Sequence, residues 1–541
     1  MSTCAVSRPP ACTRKVRLWE NACVELILPQ GHSERSYHNA LTAFSAVVGQ
    51  EWVLATDSDR DTYMDAYALG DGRNRAPGAA VAPASREEVQ AIVRLANEHR
   101  VPLWPVGRGK NLGYGGTSTV VPGTVVLDMG RMNRILEVDE KHAYCVIEPG
   151  VGFFDLYNYL KDNNIPLWMA VPGNAWGSVI GNALERGIGY TAYGDNAEQL
   201  CGLEVVMPDG DLLRTGLGAL EGSKGSYHYK YGYGPSWDQM FMQSNFGIVT
   251  QAGVWLQPEP QMSAKASITL PQFADIGWAI DKLGDLRRRD VIRHNFVFGN
   301  FMHEAAVYSQ RSDWYDGEGA MPDEVAQKII DKYGMGWWSF RLNVAGGPGM
   351  VEAHMKEISD ALEPQLDYKL DWTTWQQGDP IERSARGIPS VTALQIVNWH
   401  GGRGGHIGFS PVMPQDGELA LAQATRMKAR FEEYGLDYYT SFTMGRRHIN
   451  NVNLILYDRD NVDMVTRSRG LFTALIEDSA ANGYGEYRTH IDFMEPVAKS
   501  YGFNNQAQLR FNEKVKQALD PNGVIAPGKY GIGTLNGGVE A

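Results

Sequence analysis

Three glycine-rich segments in the first half of the chain have the composition of loops that bring backbone close to a phosphate. The first is Pro105-Val-Gly107-Arg108-Gly109-Lys110-Asn111-Leu-Gly113-Tyr114-Gly115-Gly116. Without Cβ atoms, such a run can aim successive N–H groups at an anion. It is not a Rossmann fingerprint, because Gly113 falls one place late and no helix pattern opens there. It is not a Walker A loop, because Lys110 lacks the glycine spacing and the Ser/Thr neighbour. The second segment is Pro172-Gly173-Asn174-Ala-Trp-Gly177-Ser178-Val-Ile-Gly181-Asn182, continuing into Gly187-Ile-Gly189-Tyr190. The third is Gln243-Ser-Asn-Phe-Gly247-Ile248-Val249. One such loop alone reads as a plain link between strands. Three within about 150 residues point to a long ligand such as a dinucleotide.

Other reactive residue types lie further on. His406 sits in Gly404-Gly-His-Ile-Gly408-Phe-Ser410-Pro411, and taken alone reads as a satisfied core histidine. Tyr487 and Arg488 sit in Gly485-Glu-Tyr-Arg-Thr-His490. On a flat strand they would face opposite ways, with Arg488 solvated, unless the backbone bends. Tyr114 reads as a loop aromatic. His448, in Gly445-Arg-Arg-His-Ile-Asn450-Asn451, reads as the partner of a buried polar group or as a base. Asp57-Ser-Asp-Arg-Asp61 imitates the start of a calcium loop, but Thr62 and Ala68 occupy its glycine and glutamate places, so a solvated turn is expected. Arg287-Arg-Arg289 between Asp285 and Asp290 reads as a helix surface. No metal-ligand spacing is present.

These residues need elements to position them. Ser85 with Glu88 predicts a capping box, and Val89, Ile92, Val93 and Ala96 a helix ending near Arg100, before Pro102. Strands are expected over 101–106 and 124–128, in two runs within 135–148, on both sides of the Pro208-Asp-Gly210 turn within 203–216, and over 246–256; a helix is expected over 154–160. Gln257-Pro-Glu-Pro-Gln261 breaks the pattern and marks a domain boundary. Beyond it, helices (273–286, 322–333, 349–362, 418–434, 462–481) alternate with strand-like runs (337–345, 393–399, 452–457). An α+β domain with an antiparallel sheet is the likeliest plan. The turn-rich stretch Asp520-Pro-Asn-Gly-Val-Ile-Ala-Pro-Gly-Lys529 is expected to return to the first domain, and residues 1–30 to form a flexible or wrapping arm.

The chain has 541 residues, and at roughly 150 residues per domain that allows several units or two large ones. Its net charge of −13 argues against nucleic acid, since phosphates would be repelled. Five cysteines without CxxC spacing look like neither a disulfide framework nor a zinc site. With no long apolar run and no apolar leader, a cytoplasmic protein without a membrane span is expected.

Together the loops and His406 resemble the vanillyl-alcohol oxidase / p-cresol methylhydroxylase family of FAD enzymes, over about residues 40–532, and most of all its 4-phenol-oxidising, eugenol-oxidase-like branch. The resemblance implies a two-domain FAD-binding fold of the vanillyl-alcohol oxidase type with an antiparallel-sheet cap. It divides the chain into an FAD-binding domain (1–261), a substrate cap (262–484) and a C-terminal return (485–541). It assigns FAD to the glycines, Arg108, Lys110, Asn111, Asn174, Ser178, Asn182, Tyr190, Ile248, Val249, Arg488 and Lys529. It makes His406 the covalent link to the flavin 8α-methyl. Tyr114, Tyr487 and Arg488 match the family's phenol clamp, and Tyr190 a cavity-lining tyrosine. Small Gly408 and Ser410 leave room for a long para side chain.

The implied reaction is oxidation of a para-substituted phenol at the side-chain α-carbon through a quinone methide, with O2 as acceptor and hydrogen peroxide as product. A homodimer or larger homo-oligomer is expected. The alternatives are a subunit that passes electrons to a cytochrome and a flavin-binding protein without catalysis. Two departures stand out. Gly173 occupies the place of the oxidases' aspartate near flavin N5, and His448, Asn450 and Asn451 replace a glutamate and paired histidines. With His448 a candidate base, these changes predict a larger pocket and a bulkier, lignin-type phenol.

Overall fold

The computed structural model describes residues 16–17, 23–24, 27–377 and 387–533. Most of the expected N-terminal arm lies outside these residues. The first layer is a four-stranded sheet in the order Val53–Leu54, Ala79–Val81, Val125–Asp128, Leu103–Val106. Its last three strands run parallel. Val125, Val126 and Leu127 are all fully buried, as expected of a parallel strand covered on both faces. Helices Glu34–Val48 and Arg86–His99 pack against it. Ser85 caps the second helix, accepting from the Glu88 N–H at 3.2 Å. The Glu88 carboxylate accepts from the Ala84 N–H at 2.7 Å instead of closing the box on Ser85. Arg100 ends the helix in the left-handed region (φ 58°).

A second, five-stranded antiparallel sheet follows, in the order Leu212–Arg214, Leu200–Val206, Ile248–Trp255, Tyr144–Ile147, Ile135–Asp139. Helices Phe153–Asp162 and Val179–Leu184 cover its apolar side. Gln257–Pro258 then pairs with Leu167–Trp168, and Met262–Leu270 enters a different, nine-stranded antiparallel sheet. There Trp338–Gly346 shows why one face is covered and one left open. Trp338, Phe340, Leu342 and Val344 pack under helices Ile276–Arg288, Pro348–Leu362 and Gly417–Glu433. The intervening Ser339, Arg341 and Asn343 face a cavity. The chain finally returns to the first sheet: Leu103 donates to Val524 O, and Ala526 donates to Leu103 O, both at 2.7 Å.

Three local expectations are corrected. The 393–399 run is a 3₁₀ helix, Thr392–Asn398, rather than a strand. Ile396 and Trp399, three residues apart, share one face and pack with Phe301 and Met302, and Trp399 donates to Asp437 at 2.8 Å. Residues 57–62 form a short helix rather than a turn, because Thr56 and Asp59 cap each other's backbone. Arg287 is buried, not on a helix surface; it donates to the carbonyls of Gly445 and Ile292 and to Asn295 Oδ1.

Candidate active site

Between the glycine loops and the open face of the large sheet lies a cavity of about 870 Å³. That is at the upper end for small-molecule sites and leaves room for more than one ligand group. The first loop springs from the end of Leu103–Val106. Gly109 (φ 63°), Gly113 (φ 82°) and Gly116 (φ 57°) take backbone conformations that other residues avoid. At Gly107 a Cβ would fall 2.7 Å from Pro149 O. Arg108 holds the loop through Gly150 O at 3.1 Å, and the Lys110 ammonium lies 4.7 Å over the Trp176 ring.

The second loop passes beneath. Ser178 donates to Pro149 O at 2.6 Å and accepts from Gly181 N–H at 3.0 Å. Lys529, on the C-terminal return, pairs with Glu185 at 2.7 Å and also borders the cavity. The third segment works differently from its sequence reading. Ile248 and Val249 are strand residues, and with Gly247 they lie off the cavity wall. Its Gln243 donates to Tyr487 O at 2.7 Å, and Asn245 donates to Ala526 O and Ile532 O at 3.0 and 3.1 Å. The segment therefore fixes the backbone at Tyr487 and the C-terminal return.

His406 lies on the buried strand Gly404–Phe409 and borders the cavity. A Cβ on Gly113 would sit 2.5 Å from its Cε1, so the glycine is what lets the loop lie on the imidazole. Its Nδ1 is buried with no hydrogen-bond partner among the described residues. Burial pushes its pKa down to about 4, against a smaller opposing pull from Asp65, so the ring is neutral near pH 7.

Tyr114, Tyr190, Tyr487 and Arg488 are brought together on the cavity wall. The strand Gly485–Glu486 ends just before Tyr487, which frees both Tyr487 and Arg488 to turn toward one space. The Arg488 guanidinium lies 4.0 Å over the Tyr114 ring and donates to Asn111 Oδ1. No carboxylate pairs with it among the described residues. Burial raises Tyr114, Tyr190 (to about 12) and Tyr487, and Arg488 partly offsets this at Tyr114 and Tyr487. Three neutral phenol donors beside an unneutralised cation suit an anionic oxygen. Glu486, behind them, is held far above the usual carboxylate range by burial.

Gly173 borders the cavity, where a Cβ would lie 3.6 Å from the Tyr190 hydroxyl. Asn174 turns its oxygen back to the Trp176 N–H at 3.2 Å. Gly408 and Ser410 are not on the wall itself; Gly408 backs Tyr114, with a Cβ position 3.2 Å from its hydroxyl. His448 is not brought to the cavity. It opens the strand His448–Asp458, packed on Gly445, and its pKa is lowered by burial despite Asp195. Asn450 and Asn451 are likewise buried in that strand, away from the wall.

Sequence reasoning missed Tyr439 and His303, whose rings lie tilted with centroids 4.7 Å apart on the wall. Neither sits in a motif, and only the alternation of Tyr439–Met444 hinted at an open face.

Residues 77–216 match a family described as an FAD binding domain, and residues 397–530 one described as the C-terminal domain of FAD linked oxidases. The chain is 33% identical over 517 residues to the 4-cresol dehydrogenase (hydroxylating) flavoprotein subunit of Pseudomonas putida, covering 94% of this chain and 98% of that one. It is 29% identical over 534 residues to the 1'-carboxy-chondrochloren decarboxylase of Chondromyces crocatus, covering 91% and 96%. The solved structure of 4-ethylphenol oxidase from Gulosibacter chungangensis with isoeugenol superposes with a TM-score of 0.88 at 35% identity, over 94% and 99% of the two chains. That of p-cresol methylhydroxylase with substrate bound gives 0.90 at 32% identity, over 95% and 100%.

Proposed function

The chain belongs to the vanillyl-alcohol oxidase / p-cresol methylhydroxylase family of FAD-linked oxidoreductases, and on that premise we propose that it oxidises para-substituted phenols at the side-chain α-carbon. The observation that carries this reading is Arg488, stacked on Tyr114 beside Tyr487, with no carboxylate partner among the described residues. A free phenol titrates near ~10, so a site that holds it as the anion must supply donors and positive charge. Loss of hydride from the α-carbon of the phenolate leaves a neutral quinone methide. Water then adds to it, or a proton leaves to give an alkene or carbonyl product. FAD, when bound, supplies the acceptor for that hydride, and dioxygen takes the electrons on as hydrogen peroxide.

The chain's residues fit the cofactor. The first two glycine loops, with Arg108, Lys110, Asn111, Asn182 and Lys529, would hold it, and neutral His406 would bind it covalently. Position 173 offers no carboxylate; Asn174 borders the cavity with its oxygen engaged by the Trp176 N–H, and the Tyr190 hydroxyl lies within contact of the missing Cβ. The open space at Gly173 favours bulky, lignin-type 4-alkylphenols or 4-hydroxybenzylic alcohols. A clear preference for small substrates such as vanillyl alcohol would count against that part of the reading. The reading also includes a homo-oligomer and a cytoplasmic location, and the buried free thiols of Cys145 and Cys201 agree with the location.

A second reading is a dehydrogenase that passes electrons to a cytochrome. It is favoured by the Pseudomonas putida relative, which is named as a flavoprotein subunit. Anaerobic titration with 4-alkylphenols, followed by admission of air, tests both. Flavin bleaching with fast recovery and peroxide supports the oxidase, and sluggish recovery the dehydrogenase. No bleaching with any phenol would mean that catalysis has been lost at this site.

A further inference from the structure

We propose that Asp65, clamped by His490, is the anion that enables His406 to form its covalent bond to the cofactor; this rests on the reading of His406 given above. Both side chains are 2% exposed, and His490 Nε2 lies 2.9 Å from Asp65 Oδ2. The tautomer is fixed by a second contact. The Asp492 backbone N–H donates to His490 Nδ1 at 3.2 Å, so the ring's proton sits on Nε2 and points at Asp65. The other carboxylate oxygen of Asp65 accepts from the Tyr67 N–H at 3.0 Å. The Tyr67 ring lies against His406, with centroids 5.0 Å apart.

The nearby guanidinium groups bond to other partners than Asp65. Arg75 and Arg469 are engaged by Asp492, at 3.0 and 2.9 Å. Among the described residues, no lysine or arginine pairs with Asp65. The loop that cradles the cofactor touches both groups: Gly113 lies on His406, and the Cβ position of Gly116 is 3.5 Å from Asp65 Oδ1. Asp65 and Tyr67 thus hold a fixed negative charge and an aromatic wall behind the imidazole.

The chemistry requires such a charge. A lone pair on the neutral imidazole of His406 forms the new bond to the methyl carbon of the isoalloxazine. One methyl C–H bond breaks, and its electron pair enters the ring system, from which dioxygen removes two electrons as hydrogen peroxide. Two protons leave, one from the methyl group and one from the imidazole N–H. Until its proton leaves, His406 carries a positive charge in a buried site, which is costly without a partner. Asp65 offsets that charge as it develops. Asp65 and His490 are positioning residues in this scheme, since they act through His406.

The test is the fraction of flavin that stays on the polypeptide after denaturation, read as in-gel fluorescence, during incubation of the purified chain with FAD. The wild type should retain its flavin. D65N, which keeps the shape and loses the charge, should bind FAD with a near-normal thermal midpoint yet attach it at least tenfold more slowly. H490N should be slowed in the same direction, and D65E should recover part of the rate. Equal attachment rates in the wild type, D65N and H490N would overturn the proposal while leaving His406 as the link. If the wild type itself released all its flavin, the reading of His406 would fail first and this inference with it.

Discussion

The loop 107–116 and the open face of the nine-stranded sheet border the same cavity, but they are built by different rules. The loop is defined by backbone: its glycines hold conformations and contacts that a side chain would destroy. The sheet face is defined by alternation, with Ser339, Arg341 and Asn343 exposed to the cavity only because their neighbours fill the core beneath. The two regions therefore tolerate change at different places. The loop should fail at single glycines, whereas the sheet face and the wall around Gly173 should accept substitution and alter selectivity instead.

The largest expected effect lies where the C-terminal return meets the loop. Replacing Arg488 with Met should slow anaerobic flavin bleaching by a phenol roughly 10²–10³-fold, as for loss of a fixed electrostatic stabiliser. Bleaching at near the wild-type rate in both R488M and Y487F would sink the phenolate assignment. Next comes Gly113→Ala, which forces a left-handed alanine and a clash with His406. It should cost about 1–3 kcal/mol and lower the FAD content, measured as flavin per chain and as a drop in Tm. A G113A chain with normal FAD and Tm would break the contrast between the two regions.

The third effect is an acid sensitivity beside the nine-stranded sheet. Burial, with Arg287 adding, holds the pKa of His294 down at about 4. Below pH ~6.5 the unfolded chain takes up a proton that the native chain refuses until pH ~4, so stability falls across that window and is fully present above it. The loss is at most about 3 kcal/mol, and H294N should flatten the slope of denaturant midpoint against pH. The smallest effect is expected at Gly173→Ala. Its Cβ meets Tyr190 at an ordinary contact distance, so stability should change by less than about 0.5 kcal/mol. Selectivity between short and bulky para side chains should still shift about tenfold in kcat/KM. An unchanged preference would remove Gly173 from the pocket reading.

The same division explains what could be read from the sequence. The first two glycine loops and Ser85 announce themselves because local backbone physics requires those residue types there, and Pro102 marks the helix end near Arg100. Tyr114, Tyr487 and Arg488 are grouped by resemblance alone, since nothing in their spacing says that a strand ends at Glu486 and lets both neighbours turn inward. His448 carried the right chemistry in the wrong place: a hairpin register put it beside Gly445, off the cavity wall. Residues 392–398 had strand composition but were claimed by the packing of Ile396 and Trp399. Asp65 and His490 are 425 residues apart, and no local pattern joins them.

The C-terminal return has a consequence for how the protein is made. Leu103, at the root of the first glycine loop, is hydrogen-bonded on both sides by Val524 and Ala526. On a ribosome adding roughly 5–20 residues per second, the strand is translated well before its partner, with a delay on the order of half a minute. During that interval the loop lacks its anchor, the Lys529–Glu185 pair is absent, and Arg488 is added only near its end. Cofactor loading is therefore expected only after the return segment has been made, and a nascent chain stalled short of residue 524 should carry no flavin.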